Sequence, residues 1–184
     1  MPDTRLLDQA FQRIMRSLVD TGRAPHHAEL ARALGRPAEE GRGLLRDVMQ
    51  AYPIGWLHPE TDYIASFPPL NNLPTQYRIT VRGEQRWFAQ CGFEATSATW
   101  LFPGETVRVD ARRWSEFQPG SEEGFITIEQ LAGFFGTESR RHMLDGDYLS
   151  SWYPRRAAER RAYLERIGKT SPFWMGTPGP PTSG

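Results

Sequence analysis

Three prolines within nine residues, in Phe67-Pro68-Pro69-Leu70-Asn71-Asn72-Leu73-Pro74-Thr75, divide this chain of 184 residues. Proline fixes φ and has no backbone N–H, so the stretch is expected neither to continue a helix nor to join a central strand. The hydrophobic spacing changes across it, from a helical period before to alternation after. The expected fold class is α+β. A three-helix, winged-helix module spans 1–66, and a small mixed β-sheet core with flanking helices spans 67–175. Residues 176–184 are a Gly/Pro/Ser/Thr tail expected to be disordered.

In the first part, Leu6, Phe11, Ile14, Met15 and Leu18 predict a helix over Thr4–Thr21, stopped by Gly22. A second helix is expected over His27–Leu34, closed by Gly35. A third runs over Ala38–Tyr52 and buries Leu44, Leu45, Val48 and Met49. Gly55–Leu57 and Tyr63–Ala65 then flank a turn and predict a hairpin. Three helices and a hairpin make a winged helix, which often carries DNA-binding residues on its third helix. Here Arg42 and Arg46 are offset by Glu39, Glu40 and Asp47, and a groove-binding helix normally shows a basic excess. A structural or dimerising role fits these charges better than nucleic-acid binding. His26 and His27 are adjacent, cannot face one metal together, and read as cap and surface residues.

After the prolines, Tyr77–Val81 and Gln85–Gln90 predict a second hairpin turning at Arg82-Gly83-Glu84. Thr106–Asp110 predicts a further strand. Between them lies the only cysteine, in Cys91-Gly92-Phe93-Glu94. Gly92 breaks the strand and Phe93–Leu101 reads as a short helix with Phe93, Ala98 and Leu101 as candidates for its inner side. Cys91 then sits at a helix N-terminus, where unpaired N–H groups favour a thiolate. Glu94 follows three residues later, with its carboxyl within reach of the sulfur. A plainer reading stands beside this one. Cys91 is a small buried apolar residue, and Glu94 folds back as a helix cap.

The order of these parts resembles the alkylmercury (organomercurial) lyase family. The resemblance covers about 6–110. It rests on the winged-helix segment with Ala28-Glu29-Leu30-Ala31-Arg32-Ala33-Leu34-Gly35 and on the proline stretch. It rests equally on the hairpin leading into Cys91-Gly92-Phe93-Glu94 and on Phe102-Pro103-Gly104-Glu105-Thr106-Val107-Arg108-Val109. The resemblance implies that Cys91 is a mercury-binding nucleophile and that the acid three positions on donates a proton. Glu94 stands where the family usually has aspartate. The family's second active-site cysteine has no counterpart here. The region before Trp152-Tyr153, where its equivalent would be sought, offers Asp145, Gly146 and Asp147.

In the last third, Trp114–Gly124 is polar and turn-rich, Phe125–Ile128 is a strand candidate and Glu129–Phe135 a short helix. Tyr153–Ile167 reads as an arginine-rich helix with Ala158, Ala162 and Leu164 inside, stopped by Gly168. Its arginines read as a solvated face, paired with Glu159 and Glu165. Lys+Arg and Asp+Glu are both 22, so no net field draws the chain to nucleic acid or an anionic membrane. A single cysteine excludes an internal disulfide. No apolar run approaches a membrane span and no signal-peptide core opens the chain, so the expected location is cytoplasmic. Phosphate loops, dinucleotide fingerprints, zinc spacings and nucleophile elbows are missing, and no cofactor is expected.

The leading expectation is an alkylmercury-lyase-like enzyme. Thiolate-assisted protonolysis would cleave a carbon–mercury bond, or a related soft substrate, with Cys91 as mercury ligand and Glu94 as proton donor. Trp87, Phe93 and Trp100 would line the pocket for this small molecule, and a cellular thiol would supply the second sulfur. The alternative is a non-catalytic ligand-binding or sensor protein on the same scaffold, with a winged-helix transcription regulator ranked last.

Overall fold

The computed structural model describes residues 3–111 and 128–166. Helix α1 (Thr4–Thr21) opens the fold, with Asp3 accepting from the Arg5 N–H as its N-cap. It ends at Gly22 in the left-handed region, φ 72°. A Cβ on Gly22 would lie 2.6 Å from the Arg86 carbonyl oxygen, so only glycine lets α1 finish this close to the sheet. Helix α2 (His27–Ala33) has a capping box in which His26 accepts from Ala28 and Glu29 accepts from the His26 N–H. His26 is thus the cap the sequence predicts. A 3₁₀ turn over Ala38–Glu40 leads into α3 (Gly41–Ala51), which buries Leu44, Leu45 and Val48 and leaves Met49 half-buried.

Six strands form one antiparallel sheet: β1 (Trp56–Leu57), β2 (Ile64–Phe67), β3 (Leu70–Asn71), β4 (Tyr77–Val81), β5 (Glu84–Ala89) and β6 (Val107–Ala111). Their order is β1-β2-β3-β5-β4-β6. The fold is α+β, but the sheet is antiparallel throughout rather than mixed. The connections explain this. Strands β4 and β5 are joined by Arg82 and Gly83, both at positive φ, and β2 and β3 by Pro68-Pro69. Turns this short permit only antiparallel pairing.

The proline stretch is not the linker that its composition suggests. Its prolines keep out of the ladder, but Leu70 and Asn71 between them form β3, which pairs with both β2 and β5. Asn71 and Leu70 are buried. The sheet therefore continues across the expected boundary at residue 67.

Helix α4 (Gly92–Ser97) and a 3₁₀ turn over Ala98–Leu101 follow β5. The C-terminal part holds α5 (Ile128–Phe135), α6 (Thr137–Asp145), a single π-helical turn over Tyr148–Trp152 and α7 (Tyr153–Arg166). The inner stripe of α7 is Tyr153, Ala157, Arg160 and Leu164, whereas Ala158 and Ala162 are exposed. These residues lie at i, i+4, i+7 and i+11, one helical face, and its large members Tyr153 and Leu164 turn it inward. Trp114–Gly124, Gly168, the tail 176–184 and all of the strand candidate Phe125–Ile128 except Ile128 lie outside the described residues, and Ile128 opens helix α5 instead of ending a strand. No described helix is long and apolar enough to cross a membrane.

Phe11 lies at the centre of the core. Its ring meets Tyr52 at 5.1 Å, Phe67 at 5.0 Å and Tyr148 at 4.6 Å, so it touches α1's neighbours from every part of the fold. One polar face of α1 secures the C-terminal corner. Asp8, Gln12 and Arg16 recur every four residues and share that face. Arg16 donates to the Leu144 carbonyl at 2.8 Å and pairs with Asp145, and Gln12 donates to the Gly146 carbonyl. The Asp8 carboxylate accepts from the Leu149 and Ser150 N–H groups at 2.8 and 3.1 Å and from the Ser150 hydroxyl at 2.5 Å. Donors thus meet the carbonyl end of α6, and an acid meets the N–H end of the turn leading into α7, as the helix dipoles require.

Asp8→Ala leaves the buried Leu149 N–H and two partly buried Ser150 donors without their acceptor and is expected to cost about 2 kcal/mol, read as a lowered midpoint in urea unfolding followed by tryptophan fluorescence.

Candidate functional site

Strand β5 ends because the Gln90 N–H leaves the ladder and donates instead to the Glu94 carboxylate at 2.9 Å. Its flank is held twice more. The Thr75 hydroxyl donates to the Ala89 carbonyl at 2.5 Å. The Gln90 side-chain amide donates at 3.3 Å to Asn71, which itself donates to the Leu73 carbonyl at 2.7 Å. Cys91 follows in an extended conformation as the N-cap of α4, and its carbonyl accepts from the Ala95 N–H. The strand-to-helix position predicted for Cys91 is the one observed.

Glu94 is the third residue of α4 and folds back over the turn. It accepts from Gln90, one residue before the position a standard capping box uses. The capping part of the plainer reading is therefore real, but the carboxyl's surroundings go beyond a surface cap. The wholly buried Tyr52 feels its charge: burial chiefly raises the Tyr52 hydroxyl, and Glu94 adds a smaller push after Tyr148 and Tyr153. Burial raises the Glu94 carboxyl from 4.5 to about 7, against a smaller lowering by the Gln90 N–H. At neutral pH Glu94 is thus divided between acid and carboxylate.

The thiol behaves differently from the sequence expectation. Cys91 is half-buried and free, and its pKa is raised rather than lowered. Burial is the main cause and the Glu94 charge the second. The backbone N–H groups of Glu94 and Phe93 act in the opposite direction. They close no cap hydrogen bond to the sulfur, so the dipole of a six-residue helix does not outweigh desolvation. Cys91 rests as a thiol beside a carboxyl that titrates near neutrality.

Of the three expected pocket residues, Phe93 and Trp100 are half-buried on the helical segment after Cys91. Trp87 is turned toward α1. Its indole N–H donates to the Leu18 and Val19 carbonyls at 2.8 and 3.1 Å, and its ring meets Phe102 at 4.9 Å. The cavity that Trp87 lines includes neither Cys91 nor Phe93. Gly92 faces open space, since a Cβ there would find only the Tyr77 ring, at 3.8 Å. Sequence reasoning passed over Tyr77, Gln90, Asn71 and Tyr52. The first three are polar or aromatic residues in strands or strand ends with no motif to mark them. Tyr52 reaches Glu94 only through the tertiary fold.

The residues considered in place of a second cysteine are engaged elsewhere. Asp145 pairs with Arg16, the Gly146 carbonyl takes Gln12, and Asp147 binds His142 at 2.5 Å. His142 also stacks on Trp152 at 4.2 Å. Among the described residues, no group of three or more His, Cys, Asp or Glu side chains is arranged to hold a metal ion. Any mercury bound at Cys91 would take its second ligand from outside that set.

Glu94 also sets a pH dependence for stability. Its folded pKa lies above its ordinary value, so the folded chain holds the proton more tightly. The stability this confers is complete below about pH 4.5 and declines as pH rises to about 7. Glu94→Gln keeps an acceptor for Gln90 and cannot ionise. Relative to wild type it is expected to gain on the order of 2–3 kcal/mol between acid and about pH 8, measured by urea unfolding at both pH values. Removing the neighbouring charge should also speed alkylation of Cys91 at about pH 8 by several-fold and leave the rate near pH 6 almost unchanged.

Compared with protein-family models, with curated proteins and with solved structures, the chain finds no match, so the chemistry open to this site follows from its own geometry.

Proposed function

We propose that this protein is an alkylmercury-lyase-like enzyme that cleaves a carbon–mercury bond, or acts on a related soft substrate, by protonolysis at Cys91 and Glu94. The observation that carries the reading is the pairing of a thiol with a carboxyl raised to about 7, three residues apart at the start of α4. A protonated acid beside a soft nucleophile at neutral pH is what such a reaction needs. The three-helix unit and hairpin before the site are consistent with a winged helix of the kind that family carries.

The steps follow from the two resting states. Organomercury(II), carried as its small-thiol complex, exchanges onto the Cys91 sulfur, and the Cys91 proton leaves on the displaced thiol, so that Glu94 keeps its own proton. A cellular thiolate adds a second sulfur to the mercury and increases electron density along the carbon–mercury bond. Glu94 then gives its proton to the carbon. The bonding pair of C–Hg becomes the C–H bond, hydrocarbon leaves, and mercury(II) remains as a dithiolate. Burial of Glu94 serves the same end, since a carboxyl at its ordinary 4.5 would be almost wholly ionised at neutral pH.

A second reading is a non-catalytic protein that retains a soft ligand. It is favoured by the raised Cys91 thiol and by the single sulfur. Regulation through DNA has less support: Arg42 and Arg46 are both committed to Asp62 of the β1–β2 turn, at 2.8 and 2.9 Å.

Purified protein given methylmercury and excess small thiol is expected to release methane, and Cys91→Ser and Glu94→Gln should each abolish release. Stoichiometric retention of mercury without methane would replace the enzyme by the carrier. For the enzyme, the rate should fall as pH rises through about 7 and Glu94 loses its proton, whereas a carrier would bind more tightly as the thiol ionises.

A further inference from the structure

We propose that the cavity between the end of α1, the β4–β5 hairpin and the segment after α4 binds a small organic monocarboxylate with a flat apolar body. It encloses about 480 Å³, within the range of small-molecule sites. Its walls include Val19, Asp20, Trp87, Leu101, Phe102 and Arg140. It is separate from Cys91, and the inference stands or falls independently of the reaction proposed above.

The ligand class follows from what the lining groups have left to offer. The Trp87 indole N–H is already taken by the Leu18 and Val19 carbonyls. What this residue presents to the cavity is therefore ring surface, set edge-on to Phe102 with an interplanar angle of 63°. With Val19 and Leu101 it forms an apolar surface suited to a flat group. At the rim, Arg82 is paired with Glu105 and Arg86 with Glu84. Arg140 differs. Its Nε donates to the Leu101 carbonyl at 3.4 Å, and no carboxylate among the described residues pairs with it. That bond orients a planar guanidinium, whose remaining donors suit a carboxylate. With Arg82 and Arg86 neutralised by Glu105 and Glu84, the lining leaves a polyphosphate or a nucleotide only the Arg140 cation, and Asp20 opposes further negative charge. One unmatched cation beside an aromatic wall selects a singly charged, flat acid.

Phenylacetate is the probe, with 2-phenylethanol as its uncharged counterpart. Binding is read from the Trp87 indole N–H resonance in the ¹⁵N-labelled full chain. Phenylacetate is expected to shift that resonance saturably in the millimolar range, with 2-phenylethanol at least about tenfold weaker. Arg140→Met and Arg140→Gln should each weaken phenylacetate by about tenfold, the second variant retaining a donor for the Leu101 carbonyl. Cys91→Ser should bind as wild type does. The proposal is overturned if no saturable shift occurs up to tens of millimolar, if 2-phenylethanol binds equally well, or if both folded Arg140 variants bind unchanged. Loss of the shift in Cys91→Ser would likewise overturn it, by assigning the ligand to the Cys91 site.

Discussion

The packing of Phe11 against Tyr52, Phe67 and Tyr148 is the contact on which the other parts depend. These rings come from α1, the end of α3, strand β2 and the π-helical turn, and all four are inaccessible to solvent. Each large aromatic ring buries much apolar area and adds a geometric preference of its own. No two of these segments are neighbours in sequence, so the cluster joins the first helices, the sheet and the C-terminal helices into one core. The Tyr52 hydroxyl donates to the Pro68 carbonyl at 2.9 Å and the Tyr148 hydroxyl to the Phe134 carbonyl at 3.0 Å. The two buried hydroxyls thereby satisfy carbonyls that the surrounding turns leave over.

Burial accounts for the chemistry proposed at Glu94. A buried carboxyl loses its hydration, and one N–H from Gln90 only partly replaces it. The proton is retained to near neutrality for that reason. Cys91, one turn earlier, shares the desolvation and also feels the Glu94 charge. Helix position alone would have made it acidic; its surroundings reverse the sign. The pair is coupled, since losing the Glu94 proton makes the thiol harder to ionise.

Much of the local structure was legible in the chain. Helical spacing and Gly22 locate α1, the alternation of Tyr77–Val81 locates β4, and Gly92 after a strand locates the start of α4. Legibility failed where a tertiary partner decides. Leu70 and Asn71 lie among prolines and carry no strand signal, yet the gap between β2 and β5 makes them β3. In α7 Leu164 is inside as its position suggests, but Ala158 and Ala162 are not, because Tyr153, Ala157 and Arg160 share the buried face with it. Trp87, read as a wall of the Cys91 site, spends its N–H on the terminal carbonyls of α1.

By itself the sequence determined the first three helices, the β4–β5 hairpin, the last helix and the placing of Cys91 and Glu94 at one strand-to-helix junction. These follow from hydrophobic period, glycine and proline, all of which act within a few residues. The joining of the two halves into one antiparallel sheet, and the protonation states of the site, were decided only by the tertiary structure. Desolvation depends on what the tertiary fold packs around a group, which the residues next to it in sequence do not reveal. A pKa set by burial therefore becomes visible only when the core has closed around the carboxyl.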